Sequence, residues 1–482
     1  MDPIVVIGLA IYGAALLAVA RRSRGTTAID YLLDGRRLTT PAFVATLVST
    51  WYGGVLGVGE YSFRFGISNW LALGVPYYLA AFVFAFVLAG RARRTEVLSI
   101  PDQLRAAYGP RAARLGAALV LLMAIPAAYV LMLGDLLRIY LGAALPLGMV
   151  LGTAFTIAYV VAGGFRSVVR TNVLQFCLMF GGFFIILPVA LHRVGGFGAL
   201  WAALPTTHRQ WDGGMGVQFV LVWYFIALQT LVEPTFYQRC YAAESPRVAR
   251  QSVLISIGFW VLFDFLTTFT GLAARVLLPN LADPVLAFPE LGRAVLPGVF
   301  NALFAIGLFA TVMSTAQSYL FLGAATLGHD VVPELARKVD ERKWTMIGLG
   351  AVGAAAIAIA LALRSVIGIW HDVGSVVTAA LLLPVTLSHF PRRWSFSPAG
   401  AIAAMGAATA VCTLWLVVEY VTGRYPLGIE PIFPALVTSA GCWLASQAHT
   451  ASLGSGPMPR LPSARPAPST PRPDPDQTAR LR

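Results

Sequence analysis

Charged residues are scarce in this sequence. Asp, Glu, Lys and Arg together make up 12% of the 482 residues, whereas an ordinary soluble domain carries about 25%. Hydrophobic residues make up 57%, and the mean hydropathy is +0.73. A water-soluble fold cannot bury that much apolar surface, so the composition excludes a soluble globular domain. Apolar runs long enough to cross a bilayer as helices recur along the whole chain, and they indicate an integral membrane protein.

Cysteines and the motifs of membrane enzymes are also scarce. The four cysteines show no spacing typical of a metal site or a disulfide framework. The sequence contains no Walker phosphate-binding loop, no nucleophile elbow and no His/Cys cluster. These absences argue against an ATP-driven pump or a membrane enzyme, and no cofactor is expected.

The apolar runs and the breaks between them predict the membrane spans. They predict an all-α polytopic membrane protein with about thirteen transmembrane helices inside residues 1–447. The predicted spans are 3–20, 41–66, 69–90, 114–140, 145–163, 172–192, 216–237, 251–278, 297–327, 346–364, 367–389, 398–420 and 430–447. Residues 448–482 are rich in Pro and Arg, and we expect them to form a disordered cytoplasmic tail.

Lys and Arg are distributed unevenly between the loops. If the N-terminus lies outside, the cytoplasmic loops hold 22 of them, and the outer loops and span ends hold 7. Because basic loops stay on the cytoplasmic side, this asymmetry predicts an inner-membrane protein with its N-terminus outside and its C-terminus in the cytoplasm. The net charge of +13 follows from these loops, so no nucleic-acid partner is expected.

The second span is rich in glycine. It follows the sequence DYLLDGRRL at residues 30–38, and it contains Gly53, Gly54, Gly57 and Gly59 within a few residues. Glycine weakens helix propagation and also allows close helix packing. The pattern therefore fits either a tightly packed helix or a discontinuous one, whose unwound carbonyls could coordinate a cation.

Two further segments contain polar motifs within or beside their apolar runs. Residues 162–175 read AGGFRSVVRTNVLQ, which predicts a tight turn at Gly163 and Gly164 and a helix that opens with Thr171 as its N-cap. Residues 309–332 contain Ser314 and Thr315 near a further serine in the ninth predicted span. Hydroxyls in a membrane helix commonly bond to carbonyls of their own helix, but they can also bind an ion.

Taken together, the three segments resemble the sodium/solute symporter family over about residues 30–420. The resemblance implies a fold of two inverted five-helix repeats, helices 2–6 at about 41–192 and helices 7–11 at about 216–389. It also implies sodium-coupled symport of a small polar solute by alternating access. The expected partners are that solute and membrane lipid, whereas the sequence does not set the oligomeric state.

The same resemblance implies the ion ligands. The sodium ligands carried over by motif are the carbonyls of Ala45, Val48 and Thr311 and the hydroxyls of Ser314 and Thr315. Family members with an additional sodium site have Asp and a hydroxyl at the positions of Asn172 and Gln317. Since both positions carry amides here, which could hydrogen-bond each other, we expect a single coupling ion.

The seventh span should be the inverted-repeat mate of the second, yet it lacks glycine between Val217 and Arg239. Any break in this helix must therefore depend on Gln229, Thr230 and Pro234. The resemblance places substrate-contacting residues just after the ion ligands and on the facing helix. The candidate substrate residues are Trp51, Tyr52, Trp223 and Tyr224.

Three ionisable residues inside the spans are candidates for coupling or gating. Glu60 stands four residues before Arg64, a spacing that fits either a local ion pair or a role in substrate entry. Glu233 fits a structural role at a helix end as well as gating, and Asp264 fits a neutral hydrogen-bonded group as well as a proton carrier. A proton-coupled carrier that uses Asp264 or Glu60, and a membrane nutrient sensor built on a symporter-like domain, remain the alternatives.

Overall fold

A computed structural model describes residues 2–23, 28–335, 340–363 and 365–452 of the chain. Every regular element in these ranges is a helix, and the β-pairing within them is limited to one isolated bridge between Leu38 and Ala243. The predicted all-α fold class is therefore confirmed. The predicted tail lies outside the described residues from position 453 onward.

Thirteen long helices, labelled α1 to α13, account for most of the described chain. Their bounds are α1 Pro3–Arg21, α2 Thr40–Phe65, α3 Trp70–Arg94, α4 Pro110–Leu141, α5 Leu145–Gly163, α6 Phe165–Val194, α7 Val217–Ala242, α8 Pro246–Leu277, α9 Gly298–Val331, α10 Glu341–Leu363, α11 Val366–Ser388, α12 Pro398–Thr422 and α13 Ile432–Ser452. Within the described ranges, all except α5 and α13 are long and apolar enough to span a membrane, which makes eleven. A polytopic membrane protein is confirmed, and the count of thirteen spans stays a prediction.

Capping and turn residues set where these helices begin. Ser245 caps α8 by accepting a hydrogen bond from the Val248 amide at 3.2 Å, and Pro246 occupies the first helical position. Helix α8 thus starts five residues before the predicted span. Its first turns are polar, so a prediction based on apolar runs leaves them out.

The predicted N-cap at Thr171 is wrong, because α6 already begins at Phe165. Thr171 lies inside the helix and donates its hydroxyl to the Ser167 carbonyl at 2.8 Å. The turn at Gly163 and Gly164 is confirmed, since Gly164 has a φ of 59° and a Cβ there would overlap Tyr31. This glycine ends α5 and lets α6 start immediately.

Helices α2 and α7 are both discontinuous. In α2, a 3₁₀ turn at Tyr52–Gly54 separates Thr40–Trp51 from Val55–Phe65. In α7, a 3₁₀ turn at Ala227–Leu231 is followed by non-helical Val232 and by Glu233, which caps the second half of the helix. Both breaks follow from the sequence, since glycines open the first and Pro234 opens the second.

Helices α2 and α9 lie at the centre of the protein. In the most apolar part of α2, 89% of the residues are buried, and in α9 the share is 83%, compared with 22% in α1 and 28% in α12. The segment before α2 pairs with the end of α7, where the Leu38 amide donates to the Ala242 carbonyl at 3.0 Å. The core therefore brings the break of α2 against α9.

Candidate functional site

Oxygen atoms converge where the first half of α2 meets α9. The Ser314 hydroxyl lies 2.8 Å from the Ser49 carbonyl and 2.7 Å from the Thr311 carbonyl. The Thr315 hydroxyl lies 2.5 Å from the Thr50 carbonyl and 3.3 Å from that of Ser49. All five residues are buried, and we call them the α2–α9 oxygen cluster.

The α2 half of this cluster is the C-terminal end of a helical segment. The last carbonyls of a helix lack intrahelical partners and carry partial negative charge. A hard monovalent cation prefers several oxygen ligands of this kind, and a hydroxyl can rotate to present a lone pair to it. The arrangement is therefore chemically suited to bind a cation.

The structure places the ion ligands implied by the resemblance in part of this cluster. Thr311, Ser314 and Thr315 all belong to it. Ala45 and Val48 lie on the same half of α2 but contact other groups: the Ala45 carbonyl accepts from Ser49 Oγ at 2.8 Å, and the Val48 carbonyl accepts from the Tyr52 amide. The carbonyls nearest the α9 hydroxyls are thus those of the next two residues along α2.

A buried arginine lies beside the oxygen cluster. Arg239 is fully buried, and its Nη2 donates to the hydroxyls of Thr46, Thr50 and Ser318 at 3.2, 2.8 and 3.1 Å. Its Nη1 donates to the Thr235 carbonyl at 3.3 Å. The guanidinium therefore connects α7 to both α2 and α9.

Arg239 is one of the 22 basic residues that the charge pattern assigns to the cytoplasmic loops, and the structure corrects this. Helix α7 continues to Ala242, and the five donors of a guanidinium can be shared among hydroxyls and carbonyls inside a protein. Because further arginines follow the seventh span, Arg239 resembled a residue of a basic loop rather than a buried residue. Removing Arg239 from the cytoplasmic count leaves the Lys and Arg asymmetry intact.

Amide side chains extend the network around Arg239. Asn172 donates to Thr46 Oγ1 at 2.6 Å and to Thr50 Oγ1 at 3.2 Å. Gln317 donates to the Asn172 side-chain carbonyl and, at 2.8 Å, to that of Gln175. The hydrogen bond between the two amides that the sequence suggested is therefore present.

A cavity lies between the two helix breaks. Its water-accessible volume is about 90 Å³, and it borders a second space of about 70 Å³. The two spaces share the side chains of Tyr129, Gln229, Tyr319 and Trp370. We call the combined space the central cavity.

Three of the four candidate substrate residues line this cavity, namely Trp51, Tyr52 and Trp223. The fourth, Tyr224, is not among the lining residues and is half-buried on α7. The hydroxyl of Tyr52 donates to the Trp260 carbonyl at 2.8 Å, which fixes its ring against the break of α2.

Tyr129, Tyr319 and Trp370 line the cavity although no sequence pattern marked them as cavity residues. Aromatic residues are common in membrane helices, so their positions in the sequence carried no signal of this role. Pro126, which interrupts α4 just before Tyr129, is the one local feature that could have drawn attention to that segment.

The three candidate acids have different surroundings. Asp264 lines the cavity and accepts a hydrogen bond from the Tyr78 hydroxyl. Glu233 also lines it and is fully buried at the break of α7. Glu60 lies on the second half of α2 and forms an ion pair with Arg64 at 2.9 Å. The predicted local ion pair is therefore present.

Two discontinuous helices, a cation-suited oxygen cluster at one break and a cavity between the breaks define a secondary transporter. The sodium:solute symporter family model matches residues 31–407. The chain therefore belongs to the sodium:solute symporter family, and the resemblance inferred from its motifs is confirmed. It is a sodium-coupled symporter of a small solute, and it is not an enzyme.

Individual relatives are distant but aligned along most of their length. The sodium/pantothenate symporter of Escherichia coli is 23% identical over 91% of this chain and 94% of its own. The osmoregulated proline transporter OpuE of Bacillus subtilis is 25% identical over 90% and 92%. A Na⁺-coupled sialic acid symporter in a substrate-bound outward-open state aligns with a TM-score of 0.76 at 19% identity, over 94% of this chain and 98% of its own.

Proposed function

We propose that one sodium ion binds in the α2–α9 oxygen cluster and couples to a solute in the central cavity. The observation that carries the proposal is the contact of the Ser314 and Thr315 hydroxyls with the carbonyls at the end of the first half of α2. A cation there ties α2 to α9, next to the cavity walls formed by Trp51 and Tyr52. Sodium binding would thereby stabilise the arrangement that receives the solute.

The surroundings of Arg239 support a single ion. Its guanidinium already donates to the hydroxyls of Thr46, Thr50 and Ser318. Asn172 contacts the same group of hydroxyls with a neutral amide. A second cation placed among them would lie beside a buried positive charge, which is unfavourable at low dielectric because the hydroxyls and the amide are neutral.

The membrane arrangement that we propose follows the charge distribution of the loops. The protein lies in the cell inner membrane with its N-terminus outside and its C-terminus in the cytoplasm. The two repeats would comprise α2 to α6 and α7 to α11. The relatives carry solutes as different as pantothenate, proline and sialic acid, so the solute of this chain has to be inferred from its own cavity.

Sodium-dependent uptake in proteoliposomes tests the ion site. Replacing Ser314 and Thr315 together by Ala removes two oxygens from the cluster. We expect the sodium concentration for half-maximal uptake, or for half-maximal thermal stabilisation of the purified protein, to rise at least tenfold, equal to about 1.4 kcal/mol.

The matched control replaces Thr156 and Ser256 by Ala. Both hydroxyls are buried, and each donates to a carbonyl of its own helix at 2.8 Å. This double variant should keep the wild-type sodium requirement. If the Ser314/Thr315 variant reaches the membrane and also keeps the wild-type sodium requirement, sodium does not bind in this cluster. Proton coupling through Asp264 then becomes the better explanation.

A further inference from the structure

Glu233 has an unusual position in the central cavity. It caps the second half of α7, where Oε1 accepts from the Thr235 amide at 3.3 Å and from the Thr235 hydroxyl at 3.2 Å. The N-terminal end of a helix carries partial positive charge, which favours the ionised carboxylate. The residue is fully buried, so its remaining oxygen has to find a partner inside the protein.

That remaining oxygen, Oε2, has no hydrogen-bond partner among the described residues. The Tyr319 hydroxyl interacts with the carboxylate, although its position is not that of a full hydrogen bond to Oε2. Arg239 is on the same half-helix but forms no salt bridge with Glu233 within the described ranges, since its donors are directed at α2, α9 and its own helix. A buried carboxylate oxygen left in this way is costly, and Glu233 is among the residues that line the cavity.

Apart from tyrosines, the ionisable side chains of the described lining are both acids. Asp264 lines one part and Glu233 the other, and neither set of lining side chains includes Lys, Arg or His. A solute with a free carboxylate would meet two acids and no base. A solute with a positive charge would be attracted to both.

Aromatic side chains form much of the cavity wall around Asp264, and three of them also line the part that contains Glu233, where the other lining side chains are mostly aliphatic. Besides Trp51 and Trp223, the lining contains Tyr129, Tyr319 and Trp370. Aromatic faces attract organic cations, and several of them around one carboxylate form an amine-binding cage. Because Oε2 of Glu233 needs an N–H or O–H donor, a protonated amine suits it better than a quaternary ammonium group.

We propose that the solute carried in this cavity is an organic cation whose protonated primary or secondary amine binds Glu233 inside the aromatic wall. The inference rests on the proposed function, because it names the solute class for the same cavity. It assigns no role to the α2–α9 oxygen cluster beyond sodium binding, so the two can be tested separately.

The test measures thermal stabilisation of the purified protein in sodium and in potassium buffer. The probes are ethanolamine, putrescine and tyramine. Each is compared with its fully N-acetylated form, which lacks the cation, and with its carboxylated counterpart, namely serine, ornithine and tyrosine. We expect at least one amine to stabilise the protein in sodium buffer, with both counterparts at least tenfold weaker.

Equal stabilisation by an acetylated or carboxylated counterpart would overturn the inference. So would the absence of any amine effect in protein that sodium itself stabilises, and that outcome would leave the sodium proposal standing. Absence of stabilisation by sodium would instead contradict the sodium proposal.

A variant pair locates the binding group. Glu233→Gln keeps the cap of α7 and removes the charge, and it should weaken amine binding at least tenfold while sodium stabilisation persists. Asp135→Asn is the control, because Asp135 is a buried acid of α4 that pairs with Arg138 outside the cavity. Unchanged amine affinity in Glu233→Gln would overturn the assignment, and if that variant does not fold, the wild-type probe series alone decides.

Discussion

The Nη2 atom of Arg239 lies 2.8 Å from the hydroxyl of Thr50. This contact joins the second half of α7 to the last turn before the break of α2. The carbonyl of the same threonine accepts from Thr315 in the α2–α9 oxygen cluster. One residue of α2 therefore contacts the proposed ion site through its backbone and a fixed positive charge through its side chain.

The first prediction concerns the number of sodium ions. Uptake measured against sodium concentration should give a Hill coefficient near one, because Arg239 and Asn172 already occupy the hydroxyls of Thr46, Thr50 and Ser318. A wild-type coefficient close to two would contradict this.

Replacing the amides extends that test. In the double variant Asn172→Asp/Gln317→Ser, the new aspartate supplies a carboxylate that offsets the charge of Arg239. The new serine supplies a hydroxyl as a further ion ligand. We expect the Hill coefficient of the double variant to rise toward two, while Gln317→Ser alone stays near one. A coefficient that remains near one in the double variant would show that Arg239 is not what limits the number of ions.

The second prediction concerns the break of α2. A Cβ added at Gly53 would overlap the side chain of Thr315, so Gly53→Ala should push α2 away from α9 and abolish most sodium-dependent uptake. Gly258→Ala on α8 is the control, because the space around that glycine is open. Equal uptake by the two variants at equal expression would show that α2 and α9 do not need to meet here.

The third prediction concerns pH. His208 lies in the short helix Thr206–Arg209, outside the membrane spans, with its Nε2 2.9 Å from the Phe63 carbonyl. Burial lowers the pKa of this imidazole below its ordinary value of 6.5, although the hydrogen bond to Phe63 partly opposes the shift. The unfolded state then binds the proton more tightly, so the stability contributed by neutral His208 is complete above pH 6.5 and is lost as the pH falls below it.

Thermal melts between about pH 7 and about pH 5 check this expectation. His208→Gln keeps an N–H donor for the Phe63 carbonyl and does not titrate. Its melting temperature should fall less on acidification than that of the wild type. Parallel curves for the two proteins would assign the pH dependence to other groups.

The fourth prediction concerns orientation in the membrane. A reporter fused after Gln447 should be active only in the cytoplasm, and one inserted between Gly195 and Gly214 only outside, because the basic loops are retained inside. Activity with the two locations exchanged would invert the proposed topology.

The sequence by itself determined the class of protein, the positions of most helices and the family. Hydropathy, helix caps and short motifs are local properties, so Pro234 could indicate the break of α7 and Gly164 the turn before α6 before any contact was known. The start of α6 was nevertheless misplaced at Thr171. The residue types of the proposed ion site, Ser314 and Thr315, were likewise readable because they stand in one contiguous motif.

Only the tertiary structure decided which groups these residues meet. The register between α2 and α9 brings Ser314 to the carbonyl of Ser49. Neither helix sequence alone shows this register, so the sequence could not distinguish Ser49 from its neighbour Val48 as the contacting residue. Arg239 looked like a loop anchor because basic residues usually end a span, yet helix packing surrounds it with hydroxyls. Glu233 and Trp370 lie far apart in the chain. They line the same space because the break of α7 and helix α11 pack against each other there.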